Sequence, residues 1–174
     1  ARAALAVVRS GVGFEEAQRR LKRGRTYSAD VPRGVVTLVR HTPTADFPYT
    51  VDVPPTYDPA KRHQVRLQLH GGVGRPEPAV RGDGSVGALA GREQIYLLPQ
   101  SWRAAPWWAP PQLENLRAIL DRVKRTYNVD ENRVALAGVS DGATAAFYVA
   151  MRDTTPYASF LPMIGFIMVL RSSD

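Results

Sequence analysis

Residues 133–143 read RVALAGVSDGA, and their order decides the fold. The apolar run Arg133 to Ala137 gives way to Gly138, Val139, Ser140, Asp141 and Gly142, and then to a small-residue stretch, Ala143 to Met151. A buried strand, a sharp turn and a helix in that order form the setting in which a GxSxG serine becomes a nucleophile. Each glycine has a steric task. So tight a turn strains the serine backbone and brings neighbouring chain too close for a Cβ on either side. Ser140 is therefore the first candidate functional residue, weighed against a purely structural strand-to-helix corner.

Upstream of this turn, Gln112 to Tyr127 carries Leu113, Leu116, Leu120, Val123 and Tyr127 at three- and four-residue steps, the period of a helix with one buried face. Pro111 suits its first turn, and Asn128 to Asn132 (NVDEN) supplies a polar stop before the Ser140 strand. Further back, Ile95 to Pro99 and Val65 to Leu69 read as short buried strands. Gly34 to Arg40 and Phe47 to Val53 read as a hairpin across a Thr, Pro and Asp rich turn. Between Gly72 and Gly91 only Ser85 to Ala90 is a helical candidate, and after the Ser140 helix Ala158 to Ile164 is one more strand. Strands alternating with helices predict an α/β fold: a mostly parallel sheet with helices on both faces, preceded by an antiparallel hairpin.

Acyl transfer requires donors aimed at the developing oxyanion. His70, Gly71 and Gly72 end the strand Val65 to Leu69, and in a parallel sheet that end lies near the end of the Ser140 strand. The backbone N–H groups of Asp141 and Gly72 are the predicted oxyanion hole, with Gly71 or Val73 as the fallback donor. Trp102, Trp107 and Trp108 crowd the loop after Pro99. They either cover the core or line a substrate pocket, in which case Gln100 at the strand end is placed to hydrogen-bond substrate.

Four blocks occur together: YTVDVPPTYDP (Tyr49 to Pro59), LQLHGGVG (Leu67 to Gly74), YNVDENRVALAGVSDGA (Tyr127 to Ala143) and ASFLPMIG (Ala158 to Gly165). In this order the sequence resembles the α/β-hydrolase superfamily, and within it the esterase branch similar to polyhydroxybutyrate depolymerases, feruloyl esterases and predicted peptidases. The resemblance implies a serine hydrolase acting on carboxylic esters through an acyl-enzyme at Ser140, with Gly72 as an oxyanion donor and no metal or organic cofactor. A serine peptidase and a non-catalytic binding module on the same fold are the alternatives. The family order is nucleophile, acid, histidine, yet His41, His63 and His70 all precede Ser140. His70 has a structural task in the HGG turn, and His41 and His63 sit in polar, exposed connections. Of the later carboxylates, Asp141 flanks the serine, Asp153 ends its helix and Asp174 closes the sequence. The sequence therefore reads as a fragment that lacks the last strands and the acid and histidine, and that hydrolyses esters weakly or not at all.

Composition narrows the partners. The 174 residues include no cysteine, which removes disulfides and thiolate sites, and the longest apolar run, Phe160 to Leu170, is about half a spanning helix. The net charge of +7 is concentrated: residues 1 to 40 hold nine Lys or Arg against Glu15, Glu16 and Asp30, while the remaining fourteen basic and thirteen acidic side chains nearly cancel. Residues 1–34 are predicted to form a basic helical arm, with Phe14, Ala17 and Leu21 on one face, and residues 35–174 a partial hydrolase domain. The run Arg19, Arg20, Lys22, Arg23, Arg25 lacks interleaved aromatics and reads as a solvated helix face, so neither nucleic acid nor a membrane is an expected partner.

Overall fold

The computed structural model describes residues 2–72, 74–77, 93–153 and 156–167. Two helices, α1 (Arg2–Arg9) and α2 (Phe14–Arg23), lead into the hairpin β1 (Gly34–His41) and β2 (Asp46–Val53). Then follow β3 (His63–Leu69), β4 (Gln94–Pro99), α3 (Pro110–Thr126), β5 (Val129–Val139), α4 (Asp141–Arg152) and β6 (Ser159–Met163). The six strands form one sheet in the order β1-β2-β4-β3-β5-β6. β1, β2 and β4 are joined antiparallel, while β4, β3, β5 and β6 run parallel.

That order fixes where a cleft forms. The chain leaves β3 toward β4 on one side, and leaves β5 toward β6 on the other, although β3 and β5 are neighbours. Connections departing in opposite directions open a crevice at the carboxyl ends of adjacent strands. His70, Gly71 and Gly72 stand on one lip and Ser140 on the other. The crossovers through α3 and α4 advance in the same direction, so the right-handed rule puts both helices on one face. They are tied there by Arg117 Nε, which donates to Asp153 Oδ2 at 2.6 Å. The candidate helix Ser85 to Ala90 lies outside the described residues.

Alternation produces the sheet's inner layer. In β3 every second residue from His63 to Leu69 is buried, and in β5 five consecutive residues, Val134 to Gly138, are buried as befits a strand covered on both sides. Val65, Leu67, Leu69, Ile95, Leu97, Val134 and Leu136 meet Leu116, Ile119, Leu120 and Val123 of α3 in one core, each such side chain contributing about 1.5–3 kcal/mol by leaving water. The buried stripe of α3 differs from the predicted one. It includes Gln112, Asn115 and Ile119, while Leu113 is only half-buried, so the helix is rotated toward the loop that precedes it.

Two local expectations are corrected. β5 begins at Val129, because His63 pairs with Val129 before an irregularity brings Val65 against Val134, so Val129 to Asn132 belong to the strand where a polar stop was expected. His63 is not exposed: as the first residue of β3 it lies under Tyr57, with ring centroids 4.8 Å apart and Nε2 3.0 Å from Asp58 O. At the far edge, β6 leaves Leu161 and Met163 partly exposed, and Ile164 and Phe166 beyond it are largely so.

Candidate active site

Ser140 sits between the last residue of β5 and the first of α4 with φ 54° and ψ −117°, a backbone region that residues with a Cβ seldom occupy. The glycines on either side explain how such a bend closes. A Cβ on Gly138 would stand 2.2 Å from the carbonyl carbon of Gly142, and one on Gly142 would stand 2.3 Å from Leu69 O. Neither position has room for a methyl group, so the turn packs directly on the end of β3. Ser140 N–H donates to Met163 O at 3.0 Å and Ser140 O accepts from Thr144 N–H at 2.9 Å, which locks the bend between β6 and the first turn of α4. Thr144 Oγ1 also accepts from Phe166 N–H at 3.0 Å, drawing the segment after β6 across the same turn. Under these constraints the serine itself is exposed.

Across the crevice, Gly71 comes so close that a Cβ there would lie 3.0 Å from Ser140 Cβ and 3.6 Å from its Oγ. Gly72 follows at φ +72°. The Gly71 carbonyl is held by two donors on one side, the Arg75 guanidinium at 2.6 Å and the His70 ring at 2.9 Å, and Arg75 Nε also donates to Gly72 O at 2.9 Å. In a trans peptide the C=O and the following N–H point in opposite directions. The Gly72 N–H is thereby turned away from Arg75. Arg75 O in turn accepts from Arg103 N–H at 3.0 Å, which braces this loop on the one after β4.

His70 is fully committed. Its Nε2 accepts from Ser101 N–H at 3.0 Å, so Nδ1 carries the proton that goes to Gly71 O. Its carbonyl accepts from the Trp107 indole at 2.9 Å, and the two rings lie 4.9 Å apart. Burial pushes the imidazole below its usual range, with Arg75 acting in the same direction, while the bond to Gly71 and the Asp141 carboxylate oppose the shift. A neutral ring with both nitrogens engaged is a strut. His41 pairs with Asp46 at 2.8 Å on the hairpin, and His63 lies at the amino end of β3, the opposite pole of the sheet. The structure therefore brings no one of the three imidazoles into service at Ser140. Asp141 opens α4, and Asp153 is bound to Arg117. Asp174 and Val73 lie outside the described residues. No group of three or more His, Asp or Glu side chains suited to a metal occurs among the described residues.

Of the two alternatives for the tryptophan loop, all three indoles take the first and pack on the core. Trp107 is wholly buried in the main core, Trp102 is buried against Phe47 with centroids 5.6 Å apart, and Trp108 packs half-buried on the main core. Gln100 is half-buried, and its carbonyl accepts from the buried Gln112 amide at 2.7 Å. Gln112 also accepts from Asn115 at 2.9 Å, and Ser101 Oγ donates to Ala105 O at 2.9 Å. This polar cluster, together with the Arg75 clamp, is what sequence reasoning missed. Its signal was present in Gln112 and Asn115, two amides three residues apart on the buried side of a helix.

No protein-family model matches the sequence, and no curated protein does either. Solved structures do. A thermostable esterase superposes with a TM-score of 0.60 at 22% identity, covering 74% of this chain and 40% of its own. The fold is that of the α/β-hydrolases. S-formylglutathione hydrolase from Staphylococcus aureus shares this α/β-hydrolase fold with a TM-score of 0.58 at 16% identity, over 83% of this chain and 66% of its own. A ferulic acid esterase does so with 0.57 at 21%, over 80% and 63%. The chain thus spans between 40% and 66% of the length of these esterases. In the α/β-hydrolase frame Ser140 occupies the turn between β5 and α4, at the crevice that the strand order opens.

Proposed function

We propose that this chain carries the nucleophile and oxyanion half of a serine hydrolase for carboxylic esters. The observation that supports it most is the exposed Ser140 on a bend at φ 54°, closed by two glycines that admit no Cβ and faced by Gly71. In this reading Ser140 Oγ attacks the ester carbonyl, its proton passes to a base, and the alcohol departs to leave an acyl-serine that water then hydrolyses. The N–H groups of Asp141, at the amino end of α4, and of Gly72, turned away from Arg75, receive the negative charge of the tetrahedral intermediate. Gly71 supports the hole by its close approach to the serine. Loss of one such donor costs about 10²- to 10³-fold in rate.

The base is the open half of the site. With His70 serving as a strut, His63 at the opposite pole and His41 on the hairpin, the 174 residues are expected to turn over a p-nitrophenyl ester only at the level a triad enzyme keeps without its histidine, about 10³- to 10⁴-fold above water. The committed role of all three imidazoles also favours a second reading, a binding module on the same fold. A fluorophosphonate probe separates the two. Labelling at Ser140 that disappears in Ser140→Ala supports the hydrolase, whereas no labelling under long exposure leaves the binding module.

A further inference from the structure

Both helices of the basic arm carry large apolar side chains that stand in solvent. α2 buries none of its residues, and its Phe14 and Leu21 are 80% and 82% exposed. At 100° per residue Phe14, Ala17 and Leu21 share an arc of about 60°, with Arg19, Arg20, Lys22 and Arg23 spread around the remainder. On α1, Leu5, Val7 and Val8 are each more than half exposed. Residues 1–25 carry seven Lys or Arg against Glu15 and Glu16. Glu16 bridges Arg19 and Arg20 at 2.7 Å each, which leaves Arg9, Lys22 and Arg23 as the less compensated cations. Arg25 and Tyr27 then tether the arm, both donating to Lys124 O at 3.3 Å near the end of α3.

We infer that residues 2–25 are an interfacial anchor for an anionic lipid bilayer, with the apolar faces of α1 and α2 entering the boundary between headgroups and acyl chains and the flanking cations meeting lipid phosphates. Short helices with a strongly basic polar face and Leu, Val or Phe opposite lie in this boundary, and need no spanning segment to do so. The charge complements phosphatidylserine-type headgroups. A polynucleotide would engage the charge but leave five large apolar side chains in water. The anchor's place in the fold has a consequence for the site. α3 runs from the carboxyl end of β4 back to the amino end of β5, so the tether at Lys124 lies at the pole opposite Ser140. A chain held by this arm presents its crevice to the aqueous side.

Vesicle flotation tests the anchor. With the whole chain, partition onto phosphatidylcholine vesicles containing phosphatidylserine should exceed that onto phosphatidylcholine alone by about tenfold or more and should fall steeply with added salt. Phe14→Ala combined with Leu21→Ala keeps the charge and should lower partition by about tenfold. Both side chains are exposed, so the fold is undisturbed. Equal partition onto the two vesicle types, or full binding by the double variant, would overturn the proposal. So would a preference for a duplex oligonucleotide over the anionic vesicles.

Discussion

Gly71 and Ser140 meet across the crevice between β3 and β5 so closely that a single added methyl on the glycine would stand 3.0 Å from the serine Cβ. The contact makes the end of β3 part of the serine's own environment. It also ties the elbow to the loop that Arg75 clamps.

Gly138→Ala and Gly142→Ala each force a Cβ into backbone at 2.2 or 2.3 Å. Contacts that short cannot be relieved by a side-chain rotation, so each variant should lose about 3 kcal/mol or more, the upper end of overpacking costs. Urea unfolding monitored by circular dichroism measures the loss.

Ser140→Gly should act in the opposite sense on stability. The positive φ costs a residue with a Cβ about 1–3 kcal/mol, and glycine relieves it at the expense of a more flexible unfolded chain. A net gain of about 1 kcal/mol in the same urea experiment is expected, together with complete loss of fluorophosphonate labelling. Ser140→Ala keeps the Cβ and should lose the label without that gain.

Arg75→Met removes the guanidinium that holds the Gly71 and Gly72 carbonyls. Since Arg75 is exposed, stability should change by less than about 1 kcal/mol. The labelling rate at Ser140 should nevertheless fall about tenfold, because the Gly72 N–H is no longer held in one direction. Arg75→Lys, which offers a point charge where the guanidinium made two forked bonds, should restore only part of it.

His70 gives the fold a pH dependence of predictable sign. Burial lowers its pKa in the folded chain below the ordinary value of about 6.5. Between the two values the unfolded chain binds the proton and the folded chain does not, so stability should decline as the pH drops from about 6.5 through the folded pKa. His70→Gln should flatten that part of the curve of unfolding free energy against pH, at the expense of stability above it.

Much of the fold was legible in the residues alone. All six strands fall where β-branched and apolar runs predicted them, because period-two burial and continuous apolar stretches are local patterns. The Ser140 turn was equally legible, since a positive φ at a non-glycine residue flanked by two glycines leaves a local trace. His63 was misread because burial depends on Tyr57, which reaches it only after the Pro54 to Arg62 connection folds back. The start of β5 was misread because Asp130, Glu131 and Asn132 look like a turn, and only the pairing of Val129 with the distant His63 draws them into the strand.

The sequence by itself determined the order of strands and helices, the strained serine and the glycines beside it, for these are properties of neighbours along the chain. Only the tertiary structure decided that β3 lies beside β5, that Arg75 and His70 hold the Gly71 carbonyl, and that His70 is a strut with no free nitrogen. Each of those facts joins elements separated by many residues or sets the direction of a single peptide, and hydrogen bonds of that kind are chosen by packing, which has no period to read.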